Sequence, residues 1–159
     1  MAVHMFLKLE PIKGEAQFHK HDKEIEVLSW SWGVSRSGTF HEGKGGTAGT
    51  AHFDNVTFTH WYDSASVPLL QACVEGTHLT TGELVVVKSS GKETLEYIKV
   101  TLSPVLVSSV SLGGSHGEDR LTENVTLNFQ KFKVDYAEQE KGGGKGVSPS
   151  FEWDIAVHK

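Results

Sequence analysis

The chain has 159 residues, a formal net charge of -5 and one cysteine. A chain of this length buries about 68–70% of its unfolded surface in one core and folds without disulfide staples. An acidic balance with no clustered basic face excludes a binder of phosphate backbones. The lone Cys73 excludes an internal disulfide and reads as a small apolar residue in a reducing compartment.

The opening MAVHMFLKLEP has no basic leader and no apolar run of signal-peptide length, which predicts a cytoplasmic product with no membrane insertion. Val3, Met5, Leu7 and Leu9 alternate with His4, Phe6, Lys8 and Glu10, predicting a first strand ended by Pro11 and a Gly14 turn. Residues 15–24 read as a polar loop. A second strand over 25–33 sets Leu28, Trp30 and Trp32 on one face and Val27, Ser29 and Ser31 on the other. The two tryptophans read as core or sheet-covering residues.

Residues 34–50, VSRSGTFHEGKGGTAGT, lack helical or strand periodicity and predict a long loop, a length that in compact domains marks function or disorder. Strand signal returns at 51–59. Asp63, Ser64 and Ser66 offer N-caps for one short helix over about 65–75, with Pro68 in its first turn, a stripe of Leu69, Leu70, Cys73 and Val74, and Gly76 as the C′ residue. A hairpin over 83–88 and 94–102 turns at 89–92.

The most strongly patterned stretch is 105–129, two strands joined by a glycine-rich corner. Val100, Leu102, Leu106, Val110 and Leu112 share one parity and predict a buried face. Leu121, Val125, Leu127 and Phe129 alternate with Thr122, Asn124, Thr126 and Asn128, a strand with one dry and one polar side. The apolar parity then shifts to Phe132, Val134 and Tyr136, so either a β-bulge lies near Gln130 and Lys131 or the strand passes between sheets. After a flexible connector at 137–149, Phe151, Trp153, Ile155 and Val157 predict a last strand. The pattern is mainly β: a two-sheet barrel or sandwich of eight to ten strands with one flanking helix, as a single domain over 1–159.

Three catalytic look-alikes fail on context. Residues 113–117, GGSHG, match G-x-S-x-G, but a strand follows Ser115 where a nucleophile elbow requires a helix. Residues 38–44 begin like a phosphate-binding loop, but Gly45 stands where a magnesium-binding Ser or Thr is needed. His19 and His21, with Asp22 and Glu24, lack a third fixed nitrogen or sulfur ligand and read as exposed loop residues. Neither an enzyme nor a cofactor or metal site is predicted.

The pieces VLVSSVS (105–111), GEDRLTENVTLNF (117–129), IEVLSWSWG (25–33), the initial MAV and the Lys13-Gly14-Glu15 turn, in this order, resemble the Hcp family of type VI secretion systems. That resemblance implies a small β-barrel that forms six-membered rings stacked into a tube, leaves the cell without a cleavable signal peptide, carries effectors in its lumen, and meets a contractile sheath and a spike. Some members of that family carry a toxin domain after the barrel; with the predicted last strand running to Lys159, none is expected here. On it, Ser29 and Ser31 are expected to face the lumen and contact effectors. Ser35, Gly38, Gly43, Gly45, Gly46 and Thr50 are expected in a loop between stacked rings. The competing classes are a monomeric ligand- or metal-binding barrel and a serine hydrolase using Ser115.

Overall fold

A computed structural model describes residues 2–43, 45–139 and 146–159. Its elements are β1 (Ala2–Lys8), β2 (Ile25–Ser31), β3 (Val34–Gly38), β4 (Ala48–Phe53), β5 (Val56–Trp61), α1 (Ser66–Glu75), β6 (His78–Leu79), β7 (Gly82–Ser90), β8 (Glu93–Leu112), β9 (Thr122–Tyr136) and β10 (Ser150–Asp154). The main sheet runs β10-β9-β5-β2-β1-β7-β8-β6, and β8 pairs again with β9. The path of pairings therefore returns on itself, and the sheet wraps the core as a sandwich-like fold. All of these pairings are antiparallel.

The longest seam is β8 on β9, from Ile98 opposite Tyr136 to Leu112 opposite Glu123. Val100, Leu102, Val105 and Val107 are buried, while Leu106 is half-buried and Leu112 is 56% exposed. The face expected from parity alone is thus corrected twice. Between Leu102 and Val105 the inward parity flips, and Phe129 and Phe132 flip opposite them across Gln130 and Lys131. At that point β9 leaves β5, which it pairs over residues 122–127, and takes up β10, which it pairs over 131–135. The ladder with β8 keeps its register there and β5, β9 and β10 belong to one sheet, so the parity change marks an exchange of neighbours within that sheet, neither the bulge nor the passage between sheets expected from sequence. A register shift between Val107 and Ser109 moves Val110 back toward the core.

The same device alters β2. A register shift between Val27 and Ser29 lets Ile25 and Val27 enter the core while Trp30 also packs against it, so Val27 does not share the face of Ser29 and Ser31. Where a long loop was expected over 34–50, β3 pairs with β4 as a two-stranded arm, with a 3-10 turn at Phe40–Glu42. The signal at 51–59 belongs to two strands, divided at Asp54 and Asn55. The last strand stops at Asp154, whose Oδ1 accepts from the amides of Ala156 and Val157 and turns the chain. The expected hairpin at 83–102 is longer at both ends, and its second strand continues as β8. Of the connector at 137–149, residues 140–145 lie outside the described residues.

The loop after β1 is less polar than its sequence suggests. Ala16 and Phe18 pack with Phe6, Val85 and Val87 in a second small core on the outer side of β1 and β7. Gly14 makes this possible, since a Cβ there would stand 2.5 Å from the Glu24 carbonyl oxygen and 2.8 Å from the Ile25 Cα.

In α1, Ala65 and Leu69 are fully buried and Ala72 nearly so, whereas Leu70 is 42% and Val74 78% exposed. The expected stripe is rotated, because Ala65 and Ala72 let the backbone approach the core along the Leu69 side. Ala65 stands at the N-cap with no side-chain cap, so none of Asp63, Ser64 and Ser66 serves there. Asp63 Oδ1 accepts from the Ala65 amide at 2.8 Å and Ser66 Oγ from the Asp63 amide at 3.0 Å in the turn before it, while Gly76 closes the helix in the left-handed conformation. Leu69→Ala is expected to cost about 2–5 kcal/mol in urea unfolding. Leu70→Ala should cost under about 1 kcal/mol, as surface substitutions generally do; similar losses would refute the orientation of the helix.

Candidate assembly surfaces

The alternation of Thr57 and Thr59 against Val56, Phe58 and His60 buries one side of β5 and leaves hydroxyls on the other. Register then carries those hydroxyls across four strands. Ser31 faces Thr57, Thr57 faces Thr126, and Thr126 faces Ser109; one step along, Ser29 faces Thr59, Thr59 faces Asn124, and Asn124 faces Ser111. Directly paired residues point to the same side of a sheet, so these eight form one uncharged wall over β2, β5, β9 and β8.

Thr59 Oγ1 donates to Asn124 Oδ1 at 2.6 Å, Thr57 and Thr126 hydroxyls lie 3.4 Å apart, and Asn128 Nδ2 donates to Asn55 Oδ1 at 3.0 Å. Arg120 stacks over Trp61 at 4.4 Å, beside the register pair Trp61 and Thr122. Ser29 and Ser31 sit exposed at one margin of this wall. Sequence reasoning found the β9 contribution and missed Thr57, Thr59, Ser109 and Ser111, although the β5 alternation was available to be read.

The arm is the second surface. Ser35, Gly38, Gly43, Gly45 and Gly46 are exposed, as is Thr50, and β3 has no buried residue. Thr39 closes the tip by donating its amide to the Thr47 carbonyl at 3.2 Å and accepting the Thr47 amide on Oγ1 at 2.9 Å. Gly43, at φ 78°, permits the reversal. Phe40 stands 77% exposed at this tip. At the foot of the arm, Trp32, Val34, Phe53, Phe132, Phe151 and Trp153 line an open cleft of about 590 Å³, with Arg36 and His158 also on its wall.

Two histidines are buried, one of them against expectation. His21 stacks on Phe6 at a centroid distance of 4.7 Å, and its ring nitrogens meet Glu24 at 3.0 Å and Glu96 at 2.9 Å. It pins the loop after β1 to β8 instead of standing free beside His19. His60 Nε2 lies 2.7 Å from Glu123 Oε1, both side chains fully buried, and its Nδ1 faces Asp63 Oδ1 at 3.7 Å. Sequence reasoning overlooked this pair, although Glu123 shares the parity of Val125 and Leu127. Burial raises the Asp63 carboxyl above its ordinary 3.8, opposed by the Ala65 amide and by His60 and reinforced by the nearby Glu15 and Glu123 carboxylates.

The remaining chemical motifs stay apart. Ser115 lies in the exposed turn between β8 and β9, followed by a strand, and Gly38–Gly43 form the end of the arm. The lysine at 44 that completed the loop-like motif lies outside the described residues. Among the described residues no three His, Cys, Asp or Glu side chains gather as a metal site.

A wrapped antiparallel sheet with one packed helix, an uncharged exposed wall and a projecting arm defines a small β protein whose prominent surfaces are suited to contact with other macromolecules. The model for the family described as type VI secretion system effector, Hcp, matches residues 6–136. Protein hcp1 of Pseudomonas aeruginosa is 47% identical over 156 residues, covering 98% of this chain and 96% of that one. The crystal structure of Hcp1 from Salmonella typhimurium superposes with a TM-score of 0.82 at 36% identity, covering 100% of this chain and 99% of that one. A structure described as a type six secretion system protein reaches 0.92 at 30% identity, covering 99% of both chains. The chain belongs to the Hcp family of type VI secretion proteins. It is a tube protein of that system, and among the described residues no helix is long and apolar enough to cross a membrane.

Removing Glu123 leaves His60 Nε2 buried without its hydrogen-bond partner, so Glu123→Ala is expected to cost about 1–3 kcal/mol in urea unfolding. For Asp63, a raised folded-state value means that its contribution to stability is fully present below pH 3.8 and is lost as pH rises through the folded value. Asp63→Asn should flatten that part of the stability-versus-pH curve; an unchanged slope in urea titrations across this range would contradict the assignment.

Proposed function

We propose that this chain is the ring-forming subunit of a type VI secretion inner tube, with six copies per ring. It is made in the cytoplasm and expelled folded, and it carries effector proteins along the lumen. The observation that carries the reading is the hydroxyl and amide wall, neutral and four strands wide, backed by the apolar core. Such a wall offers many weak, reversible hydrogen bonds without an adhesive apolar patch. Ser29 and Ser31 face the lumen and touch cargo. The arm bearing Ser35, Gly38, Gly43, Gly45, Gly46 and Thr50 lies at the junction between stacked rings. The outside of the tube meets the contractile sheath, and its end meets the spike.

The direct test is negative-stain electron microscopy with solution mass on the purified protein, where open-centred six-fold rings support the reading and a monomer overturns it. Ser31→Gln adds bulk at the wall and should leave rings intact while lowering retention of at least one cargo in pull-down. Replacing residues 39–47 with a two-residue turn should spare rings and abolish tubes. Rings that still stack normally after that change would remove the arm from the junction.

A further inference from the structure

The tip of the arm and the cleft at its foot have complementary chemistry, and we propose that they act as plug and socket between copies of this chain. Phe40 of one copy enters the aromatic cleft of the next, and Glu42 beside it meets Arg36 on the cleft wall. The contact deepens the ring-junction reading and relies on it for the number of contacts made at once.

Phe40 is 77% exposed, and one side of its ring covers Gly46, where a Cβ would stand only 1.9 Å from the ring. The rest of the ring is presented to solvent at the end of a ribbon. In the cleft, Trp32 and Phe132 meet edge to face at 4.9 Å, and Phe132 and Phe151 do so at 5.8 Å. Phe151 remains 57% exposed. Aromatic rings favour offset and edge-to-face neighbours, so this array accepts one more ring in the geometry it already uses. Charge agrees with shape: among the described residues neither Glu42 nor Arg36 takes part in a salt bridge.

The occupant is another copy because the ladder holds tip and foot apart, by about 15 Å at the usual strand rise. A contact between the tip of one chain and the foot of the next is heterologous. Such a contact builds an open filament when its rotation does not close, which is the case a stack of rings requires. One phenylalanine buries about 150–250 Å², far short of the roughly 1,000 Å² of a stable pair. A ring engages several plugs together, so rings stack where single chains do not.

The test uses the full chain. Phe40→Ala should leave the solution mass of rings unchanged and raise the concentration needed for stacking, read by sedimentation and tube length, by at least about tenfold. Phe40→Trp should retain stacking, and Phe151→Ala should reproduce the loss from the socket side. In a Cys73→Ser background, a His41→Cys population mixed with a His158→Cys population, both keeping Phe40 and Phe151, should yield cross-linked pairs with a short bis-maleimide, and neither population alone should do so. Stacking undiminished in Phe40→Ala, or no cross-linked pairs in the mixture, would overturn the proposal. Rings without cross-links refute plug and socket alone, whereas cross-links without rings leave it standing and refute the ring reading.

Discussion

The fold depends on the seam between β8 and β9. Its length forces both strands to serve two layers, and the shared change of facing near Ser103 and Lys131 is how they do so. On one side of that change the pair holds Val105, Val107, Leu127 and Val125 under β5. On the other it holds Leu102 and Phe132 beneath β10 and the arm's foot. A flat ladder would leave one of those layers without a dry face. The hydroxyl wall and the aromatic cleft thus lie along the same two strands, separated by the point where their side chains exchange sides.

The buried hydrogen bond between His60 and Glu123 supplies the second constraint. Hydrophobic packing sets Leu69 and Ala72 against the core but does not fix where the helix begins. His60, Glu123 and Asp63 bring β5, β9 and the turn before α1 to one point, while Glu15 Oε2 accepts the Ser64 amide from the neighbouring loop. Buried polar groups are costly when separated from their hydrogen-bond partners, so the joint discriminates between positions that packing alone would treat as similar.

Much of this was legible in the sequence, for local reasons. Alternation in β9, the Gly76 helix stop and the hydroxyl character of Ser29 and Ser31 are properties of neighbouring residues. What escaped depended on partners distant in the chain. The shifts at Val27 and Val107 come from pairing with β5 and β9, and no local pattern announces them. The arm escaped because β3 buries nothing, so there was no apolar period to detect. The helix face was misassigned between adjacent leucines, since ten residues give little leverage on its rotation. His60 and Glu123 each stood at a dry parity, but only their meeting across 63 positions explains why.

The eight wall residues carry no ionisable group, so the chain's acidic excess resides elsewhere on its surface. At short range, a molecule touching this wall meets dipoles that reorient in place of fixed charges that attract or repel. Salt, which at physiological ionic strength screens exposed charges beyond about 8 Å, has little to screen there. The wall is therefore indifferent to the sign of a visitor's charge, and its preferences are those of shape and hydrogen-bonding capacity.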